Sequence, residues 1–234
     1  MSFIRFAVYY LPTDKALAAF GATWLGWDIA SGRAVAQPDI EGLETVTDTP
    51  RKYGFHGTLK PPFRLAEGCT QPALQAALSE MAAACPPAQS EGLALAEVGS
   101  FLALTPLGDA EGIGRIAATC VRAIDGFRAA ADAADLARRR KAGLSARQDR
   151  LLLQWGYPYV MEEFRFHLTL TGRVPRTDRA RWLARARDNL PPLPAPFILD
   201  EVALVGERAD GRFELIQRYR LGGSPAARAS TAAS

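Results

Sequence analysis

Two segments of this chain alternate apolar and polar residues with the two-residue period of a strand, and they share the same central words. Residues 53–60 read YGFHGTLK and residues 164–171 read FRFHLTLT. In the second segment Arg165, His167, Thr169 and Thr171 fall on one face, and Phe164, Phe166, Leu168 and Leu170 on the other. In the first, His56, Thr58 and Lys60 oppose Tyr53, Phe55, Gly57 and Leu59. One face of each strand belongs in a core. The other presents an imidazole, a hydroxyl, and a cation or second hydroxyl.

The rest of the pattern supplies elements around these two strands. Residues 3–11 are aromatic and β-branched and predict a strand with Arg5, Ala7 and Tyr9 on one face, ended by Pro12. Thr13 or Asp14 caps a helix over KALAAFGATWLGW. Residues 31–50 contain Gly, Pro and Asp and predict a long irregular loop, and Pro61-Pro62 is expected to close the first His strand. Thr70, with Pro72 in the first turn, opens a helix to about Cys85. After the break CPPAQSEG, residues 93–98 and 101–105 predict a hairpin around Gly99-Ser100. Helical spacing follows over 113–130, then over 132–142 up to Gly143. Ser145 with Gln148 three positions on forms a capping box for a further helix stopped by Gly156. Thr177 or Asp178 opens another, PPLPAP is a stiff linker, and residues 197–207 and 212–221 predict a hairpin turning at Ala209-Asp210-Gly211. Residues 222–234 read as a disordered tail.

His strand, helix and hairpin therefore occur twice, over about 53–105 and 164–220, with Glu97-Val98 and Glu201-Val202 in the two hairpins. A duplicated lobe with pseudo-twofold symmetry brings the two His strands together across a cleft. Residues 131–162 interrupt the symmetry as a helical insertion. The expectation is one bilobal domain over residues 1–221.

Composition narrows the function classes. The net charge of +3 gives no bulk grip on nucleic acid. Three scattered cysteines suit reduced thiols rather than a zinc site, which points to the cytoplasm. No apolar run reaches the roughly 18 residues of a membrane span, and the N-terminus reads as a strand rather than a signal peptide. The chain's two histidines are both spent in the repeated His-x-Thr. Laid side by side, the two strands offer two imidazoles and two hydroxyls, a set suited to a phosphate with a proton to move on each side. Two histidines with threonine neighbours lack the three or four ligands of a metal centre. The bland alternative is that each histidine is a satisfied structural residue; their shared place in a repeat argues against it.

These residues resemble the two-histidine (2H) phosphoesterase superfamily, which includes RNA 2′,3′-cyclic phosphodiesterases, the so-called 2′-5′ RNA ligases and plant-type cyclic phosphodiesterases. RKYGFHGTLKPPFRL, QWGYPYVMEEFRFHLTLTG and TWLGWD are similar to a narrower bacterial branch linked to phosphonate metabolism. The resemblance covers residues 3–221. It implies an α+β fold, bilobal and duplicated, with antiparallel sheets lining a central cleft and helices outside. It implies His56, Thr58, His167 and Thr169 as the catalytic set of a hydrolase acting on a cyclic phosphodiester without a cofactor or metal. A small phosphorylated substrate is expected, RNA is admissible but less favoured, and a monomer is expected.

Further residues are candidates by position. Lys60, Arg165 and Thr171 share faces with the histidines, and Arg5 and Tyr9 line the same floor if the first strand is adjacent. Each is also an ordinary solvated or packed residue on the bland reading. Tyr159, in the WGYPYV cluster before the second His strand, can stack on a base or merely pack. The basic run 138–141 can contact a phosphorylated ligand, although such runs are more often solvated faces.

Overall fold

The structure is a computed structural model that describes residues 3–141 and 143–222. The expected tail falls, apart from Gly222, outside the described residues. The first half runs β1 (Phe6–Tyr10), α1 (Lys15–Leu25), the short ribbon β2 (Trp27–Asp28) and β3 (Arg33–Ala34), and α2 (Leu43–Arg51). It continues with β4 (Gly57–Phe63), α3 (Gln71–Ala84), β5 (Ala88–Ser90) and β6 (Gly92–Val98). The second half runs β7 (Phe101–Leu107), α4 (Glu111–Ala123), α5 (Ala133–Arg140), α6 (Ala146–Trp155) and β8 (Leu168–Thr169). It continues with α7 (Arg179–Asn189), β9 (Phe197–Leu199), β10 (Glu201–Glu207) and β11 (Phe213–Arg220). The fold is α+β and its strand pairs are antiparallel.

Seven strands form a sheet in the order β11-β10-β1-β4-β8-β7-β6. Its middle is thin: β4 and β8 meet at one paired position, Gly57 opposite Leu168. Gly57 and Leu168 are also equivalent residues of the two His-x-Thr copies, so a pseudo-twofold passes through that rung. Rotation about it exchanges β4 with β8, β1 with β7 and β10 with β6. Each half is thus strand, helix, His strand, helix, strand, a unit that takes in the strand and helix ahead of each His strand. The sheet falls into two wings that join where the histidines are.

The helices bury one face of both wings. Phe6, Val8, Tyr10, Leu59, Leu102, Leu104, Leu168, Val202 and Leu204 pack there against Leu17, Trp24, Leu74, Leu78, Ile113, Ile116, Cys120 and Trp182. Trp24 fixes α1 to the second His segment by donating its indole N–H to the Leu170 carbonyl at 3.0 Å. On the opposite face a smaller cluster, with Ala7, Tyr9, Trp27, Ala203, Val205 and Phe213, covers the first wing only.

Local signals explain the helix ends. The Asp14 carboxylate accepts from the Leu17 N–H at 2.8 Å, and Gly26 closes α1 in a left-handed conformation. Ser145 and Gln148 form the expected capping box on α6. The loop expected over 31–50 is corrected: it contains α2, whose Thr-rich sequence has little intrinsic helix preference. Tertiary contacts make that helix. Thr47 is buried, donates to the Leu43 carbonyl at 2.7 Å and accepts from Gln37 at 2.9 Å, while Arg51 donates to the Leu25 carbonyl at 2.9 Å. The expected stop at Pro61-Pro62 is also corrected, since β4 continues to Phe63. The register with β1 is irregular there and β8 has already left, so neither proline need donate to a ladder.

Candidate active site

The rung between Gly57 and Leu168 arranges the site. In an antiparallel pair, the residues flanking a paired position all point to the face opposite it. Gly57 and Leu168 turn toward the helices, so His56, Thr58, His167 and Thr169 point the other way. His56 comes opposite Thr169 and Thr58 opposite His167, with the two histidines on a diagonal. Diagonal positions in such a pair lie about 7–8 Å apart. All four residues are partly exposed, while Gly57, Leu59, Phe166, Leu168 and Leu170 between them are buried. A side chain at 57 would force the Phe166 ring to shift, because a Cβ there would sit 2.5 Å from it.

Both imidazoles are held in the same way. The Nδ1 of His56 lies 2.9 Å from the Gly54 carbonyl, and that of His167 lies 2.8 Å from the Arg165 carbonyl. A carbonyl only accepts, so each Nδ1 carries the proton and each Nε2 is left as the basic atom. The His56 Nε2 is 3.0 Å from the Thr58 hydroxyl, which donates to it. Burial first, and then a charge on His167, lower the pKa of His56 to about 4 against the raising effect of the Gly54 carbonyl. Burial also lowers the His167 pKa, with the Arg165 carbonyl opposing. Both rings are therefore neutral near pH 7, and His56 feels a charge on His167.

Their surroundings differ. Tyr9 is buried and stacks on His56, ring centroids 3.7 Å apart and planes at 24°. Its own hydroxyl has a pKa raised well above the usual value by burial. Tyr53 lies at 6.2 Å from His56. Under the twofold, Tyr9, opposite Thr58, corresponds to Ala103, opposite Thr169. The nearest aromatic to His167 is instead Phe101, at 5.5 Å and tilted.

Lys60 does not share the His56 face. The register between β1 and β4 slips between Val8 and Tyr9, so Lys60 falls opposite Val8 and turns to the helix side. There it is 2 % exposed, donates to the Val121 carbonyl at 3.1 Å and pairs with Asp125 at 3.2 Å. Thr171 is likewise buried; its hydroxyl accepts from the Leu102 N–H at 2.9 Å and donates to the Gly172 carbonyl. Arg165 lies outside the ladder, since strand pairing in the second copy is confined to Leu168–Thr169. Its guanidinium donates to the Glu162 and Phe164 carbonyls. Arg5 keeps the Tyr9 face but is engaged by Glu207 in a two-point pair at 2.5 and 2.6 Å. Tyr159 is 42 % exposed and packs edge-on to Tyr157.

The alternation pattern did not single out Tyr53 or Arg139. Arg139, from the basic run, stands over the Tyr157 ring at 4.9 Å. Only the run itself hinted at it. Among the described residues no group of three or more His, Cys, Asp or Glu is placed to hold a metal, and no helix is long and apolar enough to cross a membrane.

Curated relatives include two proteins named ribose 1,5-bisphosphate phosphokinase PhnN. The one from Janthinobacterium sp. (strain Marseille) is 40% identical over 183 residues, covering 76% of this chain and 40% of that one. The one from Laribacter hongkongensis (strain HLHK9) is 36% identical over 189 residues, covering 78% and 43%. The chain thus spans about two fifths of the length of the curated relatives it matches. Solved structures similar to it include TT0787 of Thermus thermophilus, at 14% identity and a TM-score of 0.47. Another is E. coli LigT complexed with 3′-AMP, at 16% identity and a TM-score of 0.44; each match covers 94% of this chain and 99% of the other. The family model described as protein of unknown function (DUF1045) matches residues 58–214, both threonines and the second histidine included, and the chain belongs to that family.

Proposed function

We propose that this chain is a metal-independent phosphodiesterase that hydrolyses a small cyclic phosphodiester by acid–base catalysis between His56 and His167. The observation that carries the reading is the symmetric quartet about one rung: two imidazoles, each with Nδ1 tied to a backbone carbonyl and Nε2 left as the basic atom, and two hydroxyls between them, that of Thr58 donating to the His56 Nε2. A phosphate seated there meets Thr58 and Thr169 with its non-bridging oxygens. Its negative charge raises both imidazole pKa values. His56, whose pKa is held down to about 4, stays neutral longer and takes the proton from the attacking water. His167, once protonated beside the anion, gives its proton to the departing alkoxide oxygen. The P–O bond to that oxygen breaks as the water oxygen bonds to phosphorus, leaving a phosphomonoester.

A phosphorylated sugar is the favoured substrate class. The relatives' printed name concerns a ribose bisphosphate, which supports it. The kinase part of that name is not carried over, because the sequence holds no G-x-x-x-x-G-K loop followed by Ser or Thr. Hydrolysis at RNA termini is the alternative within enzymology, and a phosphate-ester sensor that turns nothing over is the alternative outside it.

The test is hydrolysis of 2′,3′-cyclic nucleotides with a chelator present. Each general acid–base step contributes roughly 10²–10⁴-fold, so His56→Ala and His167→Ala are each expected to lose at least the lower figure. Near-normal turnover in either variant refutes the mechanism, and tight binding of phosphate esters with no product favours the sensor.

A further inference from the structure

A cavity of about 760 Å³ opens beside the histidine face, lined by Arg5, Lys52, Tyr53, Arg64, Arg128 and Arg139 among others. That volume lies within the range of small-ligand sites. Tyr53 is the shared wall: it lines the cavity and its ring lies 6.2 Å from that of His56. A ligand whose reacting phosphate sits on the quartet can extend past Tyr53 into this chamber, where Asp132, Asp135 and Glu207 stand among a larger number of cations.

The cations here are not equivalent. Arg5 is held by Glu207, and Arg128 by Asp125 with contacts at 2.9 and 3.1 Å. Arg138 pairs with Asp135. Arg139 is different. It is half-buried, and among the described residues its guanidinium has neither a carboxylate within ion-pair distance nor a hydrogen bond; its neighbour is the Tyr157 face. Lys52 likewise stands over the Tyr53 ring at 4.8 Å, and Arg64 is exposed. The five donors of this guanidinium have no protein acceptor among the described residues, and its exposed part meets solvent. Burial lowers the Arg139 pKa, and the charges of Arg138 and Arg5 add to that against opposing contributions from Tyr157 and Asp135. An anion between Arg139, Lys52 and Arg64 relieves both effects. Arg139 comes from α5, in the segment that interrupts the twofold, so this chamber has no counterpart by symmetry.

We propose that the cavity is a second phosphate subsite, and that the substrate carries a phosphomonoester remote from its cyclic diester, held by Arg139 with Lys52 and Arg64. The assignment rests on the cyclic phosphodiesterase reading and specifies its substrate class: a bis-phosphorylated small molecule, such as a cyclic phosphate of a sugar whose far end bears a second phosphate.

The experiment compares adenosine 2′,3′-cyclic phosphate with the same compound bearing a 5′-phosphate, and with a dinucleotide ending in a 2′,3′-cyclic phosphate. Hydrogen bonds to a charged group predict a preference in kcat/KM of roughly tenfold to hundredfold for the 5′-phosphorylated compound. Arg139→Gln is expected to abolish that preference while leaving turnover of the compound without a 5′-phosphate unchanged. No preference, or one that survives Arg139→Gln, overturns the subsite. A dinucleotide turned over as well as the 5′-phosphorylated compound overturns the monoester assignment in favour of a polynucleotide backbone. Equilibrium titration with ribose 5-phosphate separates the subsite from the catalytic reading. Binding that is kept in His56→Ala and lost in Arg139→Gln establishes the subsite even if none of the diesters is hydrolysed. Binding that does not depend on Arg139 overturns it.

Discussion

The pKa of His56 is open to direct measurement, because the chain's two histidines both belong to the site and give two imidazole signals with no others to confuse them. The perturbation is pH. Burial holds His56 to about 4 against an ordinary 6.5. At about 1.4 kcal/mol per pKa unit, that gap is worth at most about 3 kcal/mol in favour of the neutral ring. In the unfolded chain the same imidazole titrates near its ordinary value, so below 6.5 the unfolded state binds the extra proton first. Stability is therefore full above 6.5 and declines as pH falls toward 4, by up to that same amount. The assay is a proton NMR titration of the imidazole Cε1–H signals, paired with denaturant unfolding at pH 7 and pH 4.5. One signal is expected to move near pH 4, the other below its ordinary 6.5. Adding inorganic phosphate should shift both midpoints upward, since an anion at the quartet favours the charged rings. Two midpoints at or above 6.5 in the free protein, with unfolding free energy independent of pH over this range, refute the picture of two neutral rings in a partly desolvated seam.

Four further outcomes follow from particular contacts. The kcat/KM profile should keep its plateau well below pH 6.5 on the acid side, because that limb reports the base in the free enzyme; a limb at 6.5 or higher assigns the base elsewhere. Thr58→Val should lower kcat roughly tenfold to hundredfold with the fold intact by circular dichroism, whereas Thr58→Ser should retain most activity. Gly57→Ala should cost about 1–3 kcal/mol in denaturant unfolding, since its methyl meets the Phe166 ring at the one rung joining the wings. Asp125→Ala should destabilise by about 3–5 kcal/mol, because it strands the buried Lys60 ammonium. Lys60→Met should cost clearly less, since Asp125 keeps its pair with Arg128, and equal losses in unfolding experiments contradict that ordering.

Much of the frame is legible in the residues because local rules decide it. Asp14, Thr70 and Ser145 cap helices through atoms a few positions away, and Gly26 and Gly156 end helices through their own backbone freedom. The doubled His-x-Thr is legible for the same reason. What fails is whatever depends on a distant partner. The face of Lys60 is decided by a slip against β1, which alternation along β4 cannot reveal. Helix α2 exists because Leu25 and Gln37, the latter itself donating to the Trp24 carbonyl, offer partners for Thr47 and Arg51. The leading strands β1 and β7 share no words, so only their places beside β4 and β8 disclose that the duplication includes them. Arg139 looks like any member of a basic run until the fold leaves it, among the described residues, with no carboxylate within ion-pair distance.

Tyr9 and Ala103 occupy corresponding places in the two wings, one a ring lying flat on an imidazole and the other a bare methyl. A perfectly mirrored pair of catalysts cannot divide giving from taking, because neither has grounds to act first. The aromatic neighbour breaks that tie: it makes one histidine the drier of the two and so the more reluctant to hold a charge. Exchanging the pair, phenol for methyl on both sides, is the economical way to ask whether direction in this chemistry was written by the duplication or by a single later edit beside it.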